Sequence, residues 1–290
     1  GGFIVFLSIY GATKLVSVGE KTINTELVSR LESLFDPLGT GISSGKSSTI
    51  KFKSESRLEF DCNEKVNQPF GKETVVFSEK TFGDSFGEKS DEIPTTNYIF
   101  SFETIEGESL TVFSQPITFG FFVGDALQLY TGEYCFVKAN DKIKENLINL
   151  QLPGITFVDS IKECNGITVC FNQENCIINV QETGHYVSNK NYQGKRMYYI
   201  DNLLYSAIFS SPDIYECNIK RLKQRYDSLV KIYDEKSKEI EKIDCFSDVS
   251  HTILSTTGQF NNSLQLLSFQ KQIDLITSQN KGQSIGCRLF

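Results

Sequence analysis

The sequence predicts an α+β protein with a long N-terminal hydrophobic/amphipathic helix, a mainly antiparallel β body and a C-terminal antiparallel helical hairpin. Three observations predict it. An apolar run at the N-terminus flows into a stretch of helical periodicity, period-two alternation fills the middle, and the last third returns to a three–four spacing. The parts are expected over residues 1–36, 48–200 and 201–290.

The first element begins with residues 3–18, FIVFLSIYGATKLVSV, apolar except at Ser8, Thr13, Lys14 and Ser17. It is shorter than the ~20 residues that cross a bilayer, and most short apolar runs are core helices. Here Phe3, Ile4, Val5, Phe6, Leu7, Ile9 and Tyr10 leave no polar face, and no breaker separates them from a second, amphipathic stretch. That stretch carries Leu27, Val28, Leu31, Leu34 and Phe35 at helical spacing and ends at Asp36-Pro37. One helix over 3–35 would be ~50 Å long at 1.5 Å per residue, so its apolar end is expected to sit in lipid or among like subunits, as an anchor or assembly element. The chain starts at Gly1 and its only Met is Met197, so a precursor starting further upstream is expected.

From residue 49 the period changes to two. Ile50, Phe52, Leu58 and Phe60 alternate with Lys51, Lys53, Glu59 and Asp61, the pattern of a half-buried strand. Further strands are expected at 74–77, 97–103, 109–113, 126–130 and 134–138, with Phe119 to Val123 as a central strand. A short helix over 141–150, with Asp141 as its N-cap, precedes strands at 155–158, 167–171, 176–181 and 197–200. The 23 Phe and 12 Tyr, against no Trp, suit such a body.

Ser211-Pro212-Asp213 is a helix start signal. Leu222, Tyr226, Leu229, Tyr233, Ile240 and Ile243 then keep a three–four spacing. After a break near 245–250, Ile253, Phe260, Leu264, Leu267 and Ile276 carry a weaker pattern, and two such helices read as an antiparallel hairpin.

Eight cysteines without a CxxC pair, and only His185 and His251 as histidines, point to disulfides in an oxidising compartment rather than to zinc. On one continuous helix Cys217 and Cys245 would be ~42 Å apart, beyond the ~7 Å reach of a disulfide. An antiparallel hairpin would return Cys287 to the level of Cys217, so a Cys217–Cys287 bond is expected. Cys170 and Cys176 flank a five-residue connection and suit a cross-strand bond. The other pairings stay open, with Cys245 a candidate free thiol. Asn261-Asn262-Ser263 is a sequon, making Asn261 a candidate glycan site.

The formal net charge of −7, with Lys and Arg spread along the chain, excludes a nucleic-acid partner, since phosphate binding needs a basic face. The string Gly39 to Ser47 looks like a phosphate-binding loop, but Thr40 stands where the first glycine belongs. The string also follows a helix and opens a strand, the reverse of what such a loop requires. No GxSxG, HExxH or GxGxxG motif occurs. His185 and His251 read as surface or capping residues, Asp234-Glu235 and Glu239 with Glu241 as solvated helix charges, and Tyr198-Tyr199 as sheet core. No catalytic, cofactor-binding or metal-binding residue is nominated, and no cofactor is expected.

The strings Leu34-Phe35-Asp36-Pro37-Leu38-Gly39-Thr40-Gly41, Tyr134-Cys135-Phe136-Val137, Val169-Cys170-Phe171 with Cys176, and Ser211-Pro212-Asp213-Ile214-Tyr215-Glu216-Cys217 span most of the chain. Together they resemble a group of uncharacterised archaeal membrane-anchored proteins of small-genome (DPANN-type) lineages. The resemblance implies an N-terminal span and an external cysteine-containing body, and no activity. The architecture is also similar in shape to type IV pilin-like subunits, from which Lys14, the large body and the C-terminal helices depart. The resulting expectation is a non-enzymatic cell-surface structural or assembly protein that self-associates. The alternatives are a receptor- or adhesin-like ectodomain and a secreted hydrolase.

Overall fold

The computed structural model describes residues 46–65, 70–81, 83, 85–173, 175–245, 249–256 and 258–290, together with Ser29, Leu31 and Ser33. Alternating apolar residues build the first sheet from β1 (Ser47–Asn63), β2 (Lys72–Glu79), β3 (Ile93–Thr95), β4 (Tyr98–Phe100), β5 (Thr104–Thr118) and β6 (Phe122–Tyr130). Their order is β3-β2-β1-β5-β6-β4, antiparallel throughout except that β4 lies parallel to β6. Leu58, Val75, Ile93, Ile99, Val112 and Leu129, one from each strand, belong to a single buried cluster. Six strands feeding one inner face means the sheet is rolled into a barrel. The roll brings its edges together: β3 and β4, at opposite ends of the order, are separated only by Thr96 and Asn97. The Ile99 N–H of β4 donates to Glu73 Oε1 of β2 at 3.0 Å.

The second sheet contains β7 (Tyr134–Val137), β8 (Ile155–Val158), β9 (Ile167–Phe171), β10 (Ile178–Gln181), β11 (Tyr186–Asn189) and β12 (Arg196–Tyr198), in the order β12-β11-β10-β9-β7-β8. Strands β8, β7, β9 and β10 run parallel, and β11 and β12 are antiparallel. Helix α1 (Asp141–Asn149) is the crossover from β7 to β8, capped by Asn140, whose side chain accepts from the Ile143 N–H. Phe136, Val169, Phe171, Ile178 and Val180 face the main core, whereas Val137, Cys170 and Cys176 form a small cluster on the other face.

Four helices follow: α2 (Leu203–Ile208), α3 (Pro212–Glu241), α4 (Val249–Leu254) and α5 (Ser263–Gly282). Ser211 caps α3 and Asn262 caps α5 through their side chains. At the start of α5, the Ser263 N–H donates to Glu216 Oε2 at 3.0 Å, beside the start of α3. Past its end, Leu289 O accepts from Lys236 Nζ at 2.5 Å and Phe290 packs on Tyr233, near the far end of α3. The two long helices therefore run in the same direction. Helix α4 and the described residues between it and α5 form the return leg along α3, held by Gly258 N–H to Asp227 Oδ1 at 3.2 Å.

Several sequence expectations are corrected. Among the described residues no helix is long and apolar enough to cross a membrane; the apolar run over 3–18 lies outside them, and of the expected helix over 3–35 only Ser29, Leu31 and Ser33 are described. Leu31, helical and fully buried, belongs to the barrel's own core. Leu31 itself is thus covered by the body. The β body is mainly antiparallel by pairing, six pairs against four, but both sheets are mixed, and α1 supplies the crossover that lets β8 pair parallel to β7. The C-terminus is not an antiparallel hairpin, because its second long helix starts only after the return leg. Of the proposed central strand at 119–123, only Phe122 and Val123 are strand, at the start of β6, and residues 119–121 are instead a turn between β5 and β6. There the Phe119 N–H bonds to Phe121 O at 2.9 Å and Gly120 has φ +85°. This turn wedges between the long helices. Phe121 stacks on Tyr226 at 5.1 Å, and a Cβ on Gly120 would lie 3.1 Å from Ile276. The N-cap of α1 is Asn140 rather than Asp141.

Candidate functional site

The barrel's edges meet at a buried polar node. Glu73 shares the inward register of Val75 and Phe77 on β2, and Arg221 enters from α3; both side chains are fully buried. Arg221 Nη1 lies 2.5 Å from Glu73 Oε1 and also donates to Asn97 O at 2.9 Å and Asn218 Oδ1 at 2.8 Å. Its Nη2 donates to Thr96 O and its Nε to Phe70 O, each at 2.9 Å. Asn218 Nδ2 donates to Ile99 O at 2.7 Å. Side chains from α3 and β2 thus satisfy the edge of β4 that no strand pairs, blunting it as an aggregation template. Glu73 Oε2 is buried with no hydrogen-bond partner among the described residues. Burial pushes the Glu73 carboxyl up to about 7, against the opposing pull of Arg221.

A second constellation lies at the carboxyl edge of the second sheet. There β7 leads outward to β8 and β9 leads the other way to β10, the kind of divergence at which open sheets bind ligands. Glu182, just past β10, accepts from Asn140 Nδ2 at 2.5 Å and Asn172 Nδ2 at 2.6 Å. The Glu182 N–H returns to Asn172 Oδ1 at 3.0 Å, and Asn140 Oδ1 caps α1. Both carboxylate oxygens and both amides are engaged with one another. The arrangement is a clasp that joins three loops, better suited to holding shape than to moving protons.

All eight cysteines are paired. Cys62–Cys217 joins the barrel to α3, Cys135–Cys164 and Cys170–Cys176 strap the second sheet, and Cys245–Cys287 closes the far end of the helices. Cys170 of β9 is bonded to Cys176 in the segment leading into β10. The expected Cys217–Cys287 bond is not formed. Because α5 runs parallel to α3, Cys287 arrives beside Cys245, which is therefore not free, and Cys217 meets Cys62 instead.

The other nominated residues are dispersed. Phe3, Ile4, Val5, Phe6, Leu7, Ile9 and Tyr10 lie outside the described residues, as does the glycine-rich string up to Gly45. Ser47 opens β1 and donates to Leu150 O at 2.8 Å, in no helix N-terminus. His185 is exposed with φ +48°, its ring 5.7 Å from Tyr199. His251 lies in α4. Asp234 pairs with Lys238 and Glu239 with Lys242 along α3. Asn261 is exposed, while the Ser263 hydroxyl of its sequon is engaged with Glu216.

Two signals for the buried node were present in the sequence. Glu73 is an acid in register with Val75 and Phe77 on the inward face of β2, and Asn218 and Arg221 interrupt the buried face of α3 defined by Ile214, Leu222 and Tyr226. Among the described residues, no group of three or more His, Cys, Asp or Glu could hold a metal ion. Comparison with protein-family models, with curated proteins and with solved structures returned no match.

Proposed function

We propose that this chain is an extracytoplasmic, non-enzymatic structural or binding protein of the cell surface. The observation that carries the reading is the pairing of all eight cysteines into four disulfides that brace the barrel, the second sheet and the helices separately. Such bonds persist in oxidising compartments and are reduced in the cytosol. The clasp at the carboxyl edge, with its polar atoms engaged among themselves, supports a structural or binding role over the alternative of a secreted hydrolase. Ile243 and Ile285, 68% and 84% exposed, flank the Cys245–Cys287 bond and offer an apolar tip for a partner or a second copy.

The test is made on the protein in its own cells. Intact cells are treated with a membrane-impermeant amine label, lysed under alkylating conditions and analysed by non-reducing peptide mapping. Labelled protein carrying the four bonds is expected. Protein protected from the label, with alkylated thiols, would overturn the reading. Sedimentation of the native protein then reports whether it self-associates.

A further inference from the structure

The barrel closes through side chains where other barrels close through backbone pairs, and one of those side chains is a carboxyl with an unmatched oxygen. We propose that this seam is an acid-strengthened latch, in which protonation of Glu73 tightens the closure between β2, β4 and α3.

The geometry is asymmetric. Glu73 Oε1 accepts from both Arg221 and the Ile99 N–H, whereas the buried Oε2 has no hydrogen-bond partner among the described residues; Asn218 adds a side-chain interaction that favours the ionised carboxyl, and burial outweighs all three. An ionised carboxylate therefore keeps one buried oxygen without a hydrogen bond, at a desolvation cost. Arg221 does not share this dependence. Besides Glu73 it donates to Phe70 O, Thr96 O, Asn97 O and Asn218 Oδ1. Those four oxygens keep the guanidinium hydrogen-bonded when Glu73 is neutral, so protonation removes the costly charge without orphaning its partner.

The neighbours do not compete for the proton. Opposite Glu73 in register stand Cys62 on β1, disulfide-bonded and not titrating, and Thr95 on β3. From β4 come Ile99 and Tyr98, the latter held neutral by burial and lying 5.0 Å under the Arg221 guanidinium. From α3 come Asn218 and Arg221, with Arg225 further off against Phe70. The Cys62–Cys217 bond lies one helical turn from Arg221, so α3 stays tethered to the barrel and a loosened latch opens locally.

The sign follows from proton linkage. Burial raises Glu73 from 4.5 to about 7, so across that window the folded chain holds one proton more than the unfolded chain. This group's contribution is fully present below 4.5 and is lost as pH rises through about 7. Its effect on the folding constant is about tenfold per pH unit within the window.

The test compares the full, oxidised chain with Glu73→Gln, whose neutral amide imitates the protonated carboxyl. The ratio of folding constants, wild type over variant, is expected to rise about seventyfold as pH falls from 8 to 5. Parallel profiles would overturn the latch. Should the variant not fold, the wild-type protein decides alone. Carboxyl carbon NMR of Glu73 is expected to titrate with a midpoint near 7, and the Ile99 amide to be better protected from exchange at pH 5 than at pH 8 after correction for intrinsic rates. A midpoint below 5, or equal protection, removes the proposal.

Discussion

Arg221 is among the largest fully buried side chains of the described residues, and each nitrogen of its guanidinium donates to at least one oxygen. Removing it orphans three backbone carbonyls and leaves Glu73 without its counter-charge. Breaking a buried pair from one side costs about 3–5 kcal/mol, and each orphaned carbonyl adds about 1 kcal/mol more. Arg221→Met is therefore expected to lose at least that range of stability in urea denaturation at pH 7.5. Glu73→Gln, which keeps the shape and leaves Arg221 its other four acceptors, should cost far less. Equal losses from the two substitutions would mean that the ion pair, and not the guanidinium's grip on the backbone, holds the seam. The residues of this node were visible as polar interruptions in apolar patterns. What they meet was not, because Glu73 and Ile99 come together only when the sheet rolls, and no local pattern encodes the roll.

At the scale of elements, local chemistry was a good guide to existence and a poor one to direction. The Ser211-Pro212 start of α3 and the alternation of β1 stand where propensity and capping put them. The polarity of α5 against α3 depends on the return leg between them, where Gly258 at φ +78° and the Asn262 cap break a helix that weak periodicity alone would have run through. Disulfide pairing inherits that direction, so one wrong orientation misplaced both Cys217 and Cys287. The bonds themselves should differ in worth according to the loops they close. Sequence separations of 155, 42, 29 and 6 residues belong to Cys62–Cys217, Cys245–Cys287, Cys135–Cys164 and Cys170–Cys176. Chain-entropy arithmetic gives roughly 5, 4, 3.5 and 2 kcal/mol in that order. Removing each pair by double Cys→Ala substitution and measuring urea midpoints is expected to reproduce the ranking. A Cys170–Cys176 deletion as damaging as that of Cys62–Cys217 would show that the short bond acts by shaping the β9–β10 connection and not by restraining the unfolded chain.

The whole molecule has two interiors of unequal reach. The barrel's inner cluster is nearly self-contained, drawing Leu31 and Ile214 from outside its strands. The larger cluster takes Phe113 and Tyr130 from the barrel's outer face, Phe136 and Phe171 from the second sheet, Phe209 and Tyr226 from the helices and Leu289 from the C-terminal segment. Phe209 touches both sheets at once, 5.5 Å from Phe113 and 5.0 Å from Tyr134, so its ring cannot be housed by either alone. The Phe119-Gly120-Phe121 turn likewise carries a barrel hairpin into the cleft between α3 and α5. An interior shared this widely makes partial unfolding costly, because releasing the helices would expose aromatic faces of both sheets together. With its disulfides intact, the chain is expected to unfold in one cooperative step, with tyrosine fluorescence and far-ultraviolet circular dichroism giving the same urea midpoint. Chains ending at residue 200 should not fold, since they lack Phe209, Arg221 and Tyr226 and keep Cys62 without its partner. Two separated transitions, or a folded truncated chain, would show that the barrel stands on its own cluster and that the aromatic layer serves only to dock the helices.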